Sequence, residues 1–176
     1  MLTCRASFLE TGIPAIGRLE LLSADQGLAA ILFCDDRRSR ASAAWRRRNV
    51  GSTAPATPRE HDPFVSEIRE YLAGGRREFT IPLHRTGTPF QRAVLEAVAS
   101  VPYGARASYQ DIARAVGNPA ACRAVGAANG ANPLPLVIPC HRIVGASNKL
   151  TGYGGGLDAK HWLLSLESPA RLALAS

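Results

Sequence analysis

The segment Pro139-Cys140-His141-Arg142 sets a thiol next to an imidazole. Sulfur attacks as the thiolate, and a free thiol with a pKa of ~8.5 needs help to reach that form at neutral pH. The pair therefore reads as a nucleophile with a proton acceptor beside it. Neighbouring side chains of an extended segment point to opposite faces, so contact between the two needs a bend or a bridging water. A buried cysteine beside a surface histidine is spelled the same way, and on this pair alone both readings stand. Further on, Glu167 lies one helical turn past Leu163 and Leu164, where its carboxylate can point into the domain and orient a histidine as third member of a relay. A solvated carboxylate near a helix end is the ordinary alternative.

Between them lies Thr151-Gly152-Tyr153-Gly154-Gly155-Gly156. The G-K-[ST] ending of a phosphate-binding loop is missing, so the glycines instead let backbone N–H groups approach a flat ligand. Asp158 is expected to cap a last helix carrying Trp162, Leu163 and Leu166.

The elements that position these groups follow from periodicity. Thr88-Pro89-Phe90-Gln91 combines a cap, a proline at the first helical position and a capping-box glutamine, and Val94, Val98 and Val101 follow at helical spacing. Ser108-Tyr109-Gln110-Asp111 opens a short helix that ends at Gly117. Asn118-Pro119 caps another running towards Gly130, which makes a helix-turn-helix. The second helix presents Arg123, Ala127, Gly130 and Ala131 on one face, small enough for a duplex to approach, with Ala121, Val125 and Ala128 inward. Tight helix–helix packing would use the same small residues.

Upstream, Arg18 to Ser23 and Leu28 to Phe33 flank the Ala24-Asp25-Gln26-Gly27 turn as an antiparallel hairpin. Residues 35–60 read as an Arg-rich solvated loop, with Arg37, Arg38, Arg40 and Arg46-Arg47-Arg48, and a helical piece around Trp45. Asp62-Pro63 is expected to open a helix with Phe64, Val65, Ile68, Tyr71 and Leu72 on one face and Gly74-Gly75 as its stop. Phe79 to Leu83 reads as a strand or a linker.

The 176 residues, 46% hydrophobic and 20% charged, support one large domain or two small ones. A chain of this size buries roughly 70% of its unfolded surface, so no staple is needed. Disorder, collagen and coiled coil are excluded by composition. No stretch approaches the ~20 apolar residues that span a bilayer, and Arg5 and Glu10 interrupt any secretory leader, so the expectation is a cytoplasmic protein without a membrane partner. The 21 basic and 14 acidic residues give +7, and with Lys149 and Lys160 the only lysines, arginine dominates. Arginine pairs with phosphate in bidentate fashion, which favours nucleic acid as partner, although coding bias produces the same excess. Thr88 to Lys160 holds Arg92, Arg106, Arg114, Arg123, Arg142, Lys149 and Lys160 against Glu96, Asp111 and Asp158, a local +4. Cys4, Cys34, Cys122 and Cys140 lack C-x-x-C spacing, so free thiols are expected.

The stretch Thr88 to Glu167 resembles the methylated-DNA-protein-cysteine methyltransferases, the O6-alkylguanine-DNA alkyltransferases. The likeness rests on Ser108-Tyr109-Gln110, Arg123-Ala124-Val125-Gly126, Asn132-Pro133, Ile138-Pro139-Cys140-His141-Arg142, Tyr153 with its glycines, and Lys160 to Glu167, in order and at the family's spacing. Gly17-Arg18-Leu19 and Asp25-Gln26-Gly27-Leu28 resemble its amino-terminal domain more weakly. The resemblance implies an α/β N-terminal domain, 1–84, ribonuclease H-like with an antiparallel sheet and a helix. It implies a mainly α C-terminal domain, 85–176, with a winged helix-turn-helix.

It further implies a monomer that removes alkyl groups from O6 of guanine, and from O4 of thymine, in double-stranded DNA and keeps them, without a cofactor. Cys140 would be the acceptor, His141 the base acting through a water, and Glu167 its orienter. Asn132 would brace the turn, and Arg142 would sit inside this network while belonging with the DNA-binding set, as do Ser108, Ala127, Gly130 and Gly155. Tyr109 would donate to the guanine ring, Tyr153 and the Gly154 N–H would line the pocket, and Arg123 would fill the place of the flipped nucleotide. The buried target carbon demands such flipping, at a few kcal/mol, and a side chain wedged into the duplex holds the gap open. No group here hydrolyses a thioether, so one turnover per molecule is expected.

Gly154 stands where many relatives carry serine, leaving only a backbone donor. Cys122 is a second thiol beside Arg123. Ala24 and Ala29 occupy the places of zinc ligands in zinc-binding relatives, so no zinc site is expected despite Cys4 and His84. Two rivals come from other classes. A non-catalytic lesion-binding protein would replace Cys140, and a transcription regulator would need a sensor domain or cysteine cluster, which this sequence lacks.

Overall fold

Side chains alternate along Leu2–Glu10 (β1), with Cys4 and Leu9 buried on opposite faces while Thr3, Arg5, Phe8 and Glu10 are exposed, so each face is covered only in part. The N-terminal strand is an element the sequence reading did not place, and it sits inside the sheet. The expected hairpin is present as Arg18–Ala24 (β2) and Gly27–Phe33 (β3). Gly27 is required at its turn: φ is +126°, and a Cβ would lie 2.2 Å from the Pro82 carbonyl oxygen. The computed structural model describes residues 1–34 and 39–168, with side chains from residue 42 onward in the second span.

The 35–60 segment is not a loop throughout. Ser39–Asn49 is a helix (α1) and Val50–Pro55 a strand (β4), while Arg37 and Arg38 lie outside the described residues. Trp45 packs on the cluster of Cys4, Leu22, Ala30 and Leu32, and Arg46 pairs with the buried carboxylate of Glu20. β4 carries almost no strand signal of its own. It exists because β1 offers an edge, to which it pairs in parallel, so the order is β3-β2-β1-β4 and the sheet is antiparallel except at that edge.

Pro58–Leu72 (α2) begins before the expected Asp62-Pro63 start. Thr57 is its cap, with the Glu60 carboxylate accepting from the Thr57 N–H at 2.7 Å. Pro63 lies inside the helix, in its second turn, and Arg59, whose carbonyl a proline N cannot serve, is exposed. Phe64, Ile68, Tyr71 and Leu72 are buried as expected, and Gly74 ends the helix at φ +84°. Phe79 to Leu83 is a linker, with one bridge between Leu83 and Leu28.

The contacts divide the chain into Met1–Arg85 and Thr86–Ser176. In the second unit Pro89–Ala99 (α3), Tyr109–Ala115 (α4) and Cys122–Gly130 (α5) pack on one another. Both expected capping boxes form: Gln91 N–H donates to Thr88 Oγ1 at 3.2 Å and Asp111 N–H to Ser108 Oγ at 3.1 Å. The helix expected from Asn118 starts later, at Cys122, because Gly117 to Ala121 form a turn that Gln110 ties to α4 through the Pro119 carbonyl at 2.9 Å. Ala107–Ser108 (β5) and Ile143–Val144 (β6) pair in parallel as the wing's small sheet. Gly156–Leu166 (α6) completes the unit with Gly155 as N-cap, and Asp158 sits in its first turn instead of capping it.

Candidate active site

Cys140, His141 and Arg142 form one turn of 3-10 helix, all three buried, so the backbone bends here and the extended geometry expected from sequence does not apply. Asn132 builds the approach. Its Nδ2 donates to the Ile138 carbonyl at 2.9 Å, and its Oδ1 accepts from the Leu134 N–H at 3.0 Å. Within this loop Leu136 is buried at φ +77°, a left-handed conformation costing on the order of 1–3 kcal/mol that the surrounding contacts must hold.

Glu167 is the hub behind the turn. His141 Nε2 lies 3.0 Å from its Oε1, while Arg142 donates from Nε to Oε2 and from Nη2 to Oε1, both at 2.9 Å. This planar fork is the strong form of a charge-assisted bond. Arg142 Nη1 donates to the Val101 carbonyl at 2.6 Å. Arg142 is thus buried, with each of its three nitrogens donating inside the fold, which gives it a structural place in the network and not a DNA-facing one. Gly104 N–H adds a longer bond to Glu167 Oε2 at 3.3 Å. Gly104 has φ +79°, and a Cβ there would stand 2.8 Å from the Glu167 carbonyl oxygen.

Lys160, one of the seven basic residues behind the +4 of the 88–160 segment, is not a surface cation available to phosphate. It is fully buried, donating to the Ile143 carbonyl at 2.6 Å and the Thr151 carbonyl at 3.0 Å. The signal was available: Lys160 shares a helix face with Leu163 and Leu164. With Arg142 also internal, the exposed basic set of this segment is Arg92, Arg106, Arg114, Arg123 and Lys149.

Electrostatics fix the resting state. Burial pushes the Cys140 thiol up to about 11, against the smaller opposing effects of the Asn132 side chain and the Lys160 ammonium. Burial likewise pushes His141 down, opposed by its bond to Glu167. Both are therefore neutral at rest, and with Nε2–H donated to the carboxylate, Nδ1 is the accepting nitrogen. Burial also lowers Lys160, while Cys140 draws it back up.

The remaining residues surround this core. Tyr153 meets the His141 ring edge-on, centroids 6.3 Å apart. Gly154 is exposed and Gly155 buried. Tyr109 Oη is 2.9 Å from Thr151 Oγ1, a partner the sequence did not single out. Ser108 is engaged by Asp111 as the cap of α4. On α5, Arg123, Ala127 and Gly130 face outward while Val125 and Ala128 are buried. Cys122 donates to Gln110 Oε1 at 3.0 Å. Among the described residues the four cysteines are free thiols, no group of three or more His, Cys, Asp or Glu side chains could hold a metal ion, and no helix is long and apolar enough to cross a membrane.

Residues 13–84 match the family described as 6-O-methylguanine DNA methyltransferase, ribonuclease-like domain, and residues 89–169 match its DNA binding domain. A methylated-DNA–protein-cysteine methyltransferase of Mycolicibacterium paratuberculosis is 44% identical over 162 residues, 90% of this chain and 93% of the relative. An inducible methyltransferase of the same name from Bacillus subtilis is 47% identical over 125 residues, 71% of this chain and 70% of the relative. The crystal structure of Mycobacterium tuberculosis OGT in complex with DNA superposes with a TM-score of 0.77 at 36% identity, covering 99% of this chain and 100% of that one. A buried thiol, a carboxylate-held histidine and an arginine on a small-residue helix thus occur in a chain whose two units both match, and the chain belongs to the 6-O-methylguanine DNA methyltransferase family.

Proposed function

We propose that this protein repairs DNA by direct reversal, taking the alkyl group from O6 of guanine in double-stranded DNA onto the sulfur of Cys140 in a single turnover. The observation that carries the reading is the Cys140 turn, where a buried thiol is backed by His141, Glu167 and Arg142. A thiol at about 11 is ionised to roughly one part in ten thousand at neutral pH, so it reacts only if a base removes its proton as substrate arrives. His141 Nδ1 takes that proton through a water. Glu167 holds the ring in the accepting tautomer, and Lys160 supplies positive charge to the forming thiolate.

Sulfur then displaces the base from the alkyl carbon, and Tyr109 donates a hydrogen bond to the guanine ring as negative charge develops there. Tyr153 and the Gly154 N–H line the base pocket. Arg123 enters the duplex where the nucleotide was rotated out, and the smallness of Ala127 and Gly130 lets α5 approach. Single turnover follows because a thioether has no leaving group that these residues could release. Free thiols suit the reducing cytoplasm, where we place the protein as a monomer. Cys140 weighs against the lesion-binding alternative, which keeps the DNA-binding helix but not the sulfur.

The test is to incubate the protein with duplex DNA carrying O6-methylguanine and weigh it. One methyl group is gained, mapping to Cys140, and Cys140→Ser binds the duplex with unchanged mass. Binding by the native protein without a mass gain would leave only a lesion-binding role.

A further inference from the structure

The contact between Tyr109 and Thr151 links two hydroxyls at 2.9 Å, in which either oxygen can donate. Thr151 is held from two other directions. Its carbonyl accepts from the buried Lys160 ammonium at 3.0 Å, and the same ammonium holds the Ile143 carbonyl, one residue past the Cys-His-Arg turn, at 2.6 Å. Its methyl lies against Gly145, where a Cβ would come within 3.0 Å of Cγ2. A β-branched side chain has few χ1 states, and fixing backbone and methyl leaves the hydroxyl one direction, towards Tyr109. The Tyr109 ring in turn rests beside Gly126, 3.8 Å from a Cβ built there. Thr151 is thereby tied to the nucleophile turn by its backbone and to the helix-turn-helix by its side chain.

We infer that Thr151 is a positioning residue for alkyl transfer: its O–H donates to Tyr109 Oη, which directs the tyrosine's own proton away from the protein and onto the guanine ring. This rests on the proposed role of Tyr109. Two hydroxyls in series polarise each other, so the phenol becomes a stronger donor when the base carries the most negative charge. The balance of the step is unchanged. The S–C bond forms and the C–O6 bond breaks, its electron pair stays on guanine, and the thiol proton goes to His141. Tyr109 and Thr151 keep their protons, and the released base later takes one from water.

The experiment compares native protein, Thr151→Val, Thr151→Ser, Tyr109→Phe and the double variant Tyr109→Phe/Thr151→Val. Readouts are the single-turnover rate of mass gain with O6-methylguanine duplex, affinity for undamaged duplex and thermal unfolding. Thr151→Val keeps the shape, and loss of one neutral hydrogen bond slows transfer about five- to tenfold with duplex affinity unchanged. Thr151→Ser restores the hydroxyl and transfers within about twofold of native. In the Tyr109→Phe background Thr151→Val has no further effect, the non-additivity of groups acting through one another. The inference is overturned if Thr151→Val transfers at the native rate, if it slows Tyr109→Phe by the same factor, or if Thr151→Ser is as slow as Thr151→Val. Should Thr151→Val unfold, the Ser variant beside Thr151→Ala gives the same comparison. Absence of mass gain in the native protein instead overturns the transfer reaction itself.

Discussion

Replacing Glu167 by Gln removes the carboxylate's charge and almost nothing of its shape, and the geometry says how much that costs. Oε1 accepts from His141 Nε2 and Arg142 Nη2, while Oε2 accepts from Arg142 Nε and Gly104 N–H. A glutamine amide has one oxygen and one NH2, so either orientation turns two donors against a third. The Arg142 guanidinium is then buried without its counter-charge, a loss of about 3–5 kcal/mol. For a chain of this length each kcal/mol lowers the unfolding temperature by about 2–4 °C, so a fall of about 6–20 °C is expected by calorimetry. Transfer suffers separately, because His141 loses the acceptor that fixes its tautomer, and well below the variant's unfolding temperature the rate of mass gain falls about 10²- to 10⁴-fold. Unfolding at the native temperature would refute the buried-charge argument. A destabilised variant that transfers at the native rate would show that Glu167 serves the fold and not the base.

Gly104→Ala forces a side chain into the left-handed region and against the Glu167 carbonyl, and an unfolding free energy lower by about 2–3 kcal/mol in denaturant titration is expected. Arg123→Ala slows repair in duplex DNA at least tenfold while leaving reaction with the free alkylated base within about twofold, a split read from paired mass-gain assays; equal losses would remove its role in flipping. Acid stability follows from His61 and His141, both pushed down chiefly by burial. Their folded values lie below the ordinary 6.5, so the stability they confer is complete above that pH and is lost as pH falls through the folded values. The slope reaches at most about 1.4 kcal/mol per pH unit for each. His61, whose ring nitrogens meet Ser7 Oγ at 2.6 Å and Ser23 Oγ at 2.7 Å, accounts for part of it, so His61→Gln flattens the acid limb of unfolding temperature against pH; an unchanged limb would exclude it.

What the sequence made legible was whatever local chemistry determines. The capping boxes at Thr88 and Ser108 and the hairpin around Gly27 depend on a few adjacent residues, and they fold as spelled. Failures fall where a distant partner decides. β4 is a strand because β1 lies beside it, and α1 is anchored through Trp45 and Arg46 to a sheet whose inner strand was not recognised. In the site, Cys140, His141 and Glu167 stand out by type and order. The work of Lys160, Thr151 and Gly104 depends on which carbonyl or hydroxyl the fold brings within 3.3 Å, and spacing along the chain does not encode that.

The charges enclosed around the sulfur explain why a protein used once can hold an unionised nucleophile. Arg142 is neutralised by Glu167 in a bidentate pair, which leaves the Lys160 ammonium as the cation acting on Cys140. That charge is too little to overcome burial, which holds the thiol up at about 11, so at neutral pH it stays protonated and little of the reactive thiolate form is present. In the proposed reaction it suffices once His141 accepts the proton beside a carbon already in place, because no charge then has to be created far from a partner. Burial lowers His141, which sets the same condition on the proposed base from the other side: a weak base completes the transfer only when the sulfur is consumed as it ionises. Protection of the thiol and its activation are thus one arrangement of charges, with the arriving base as the difference between them.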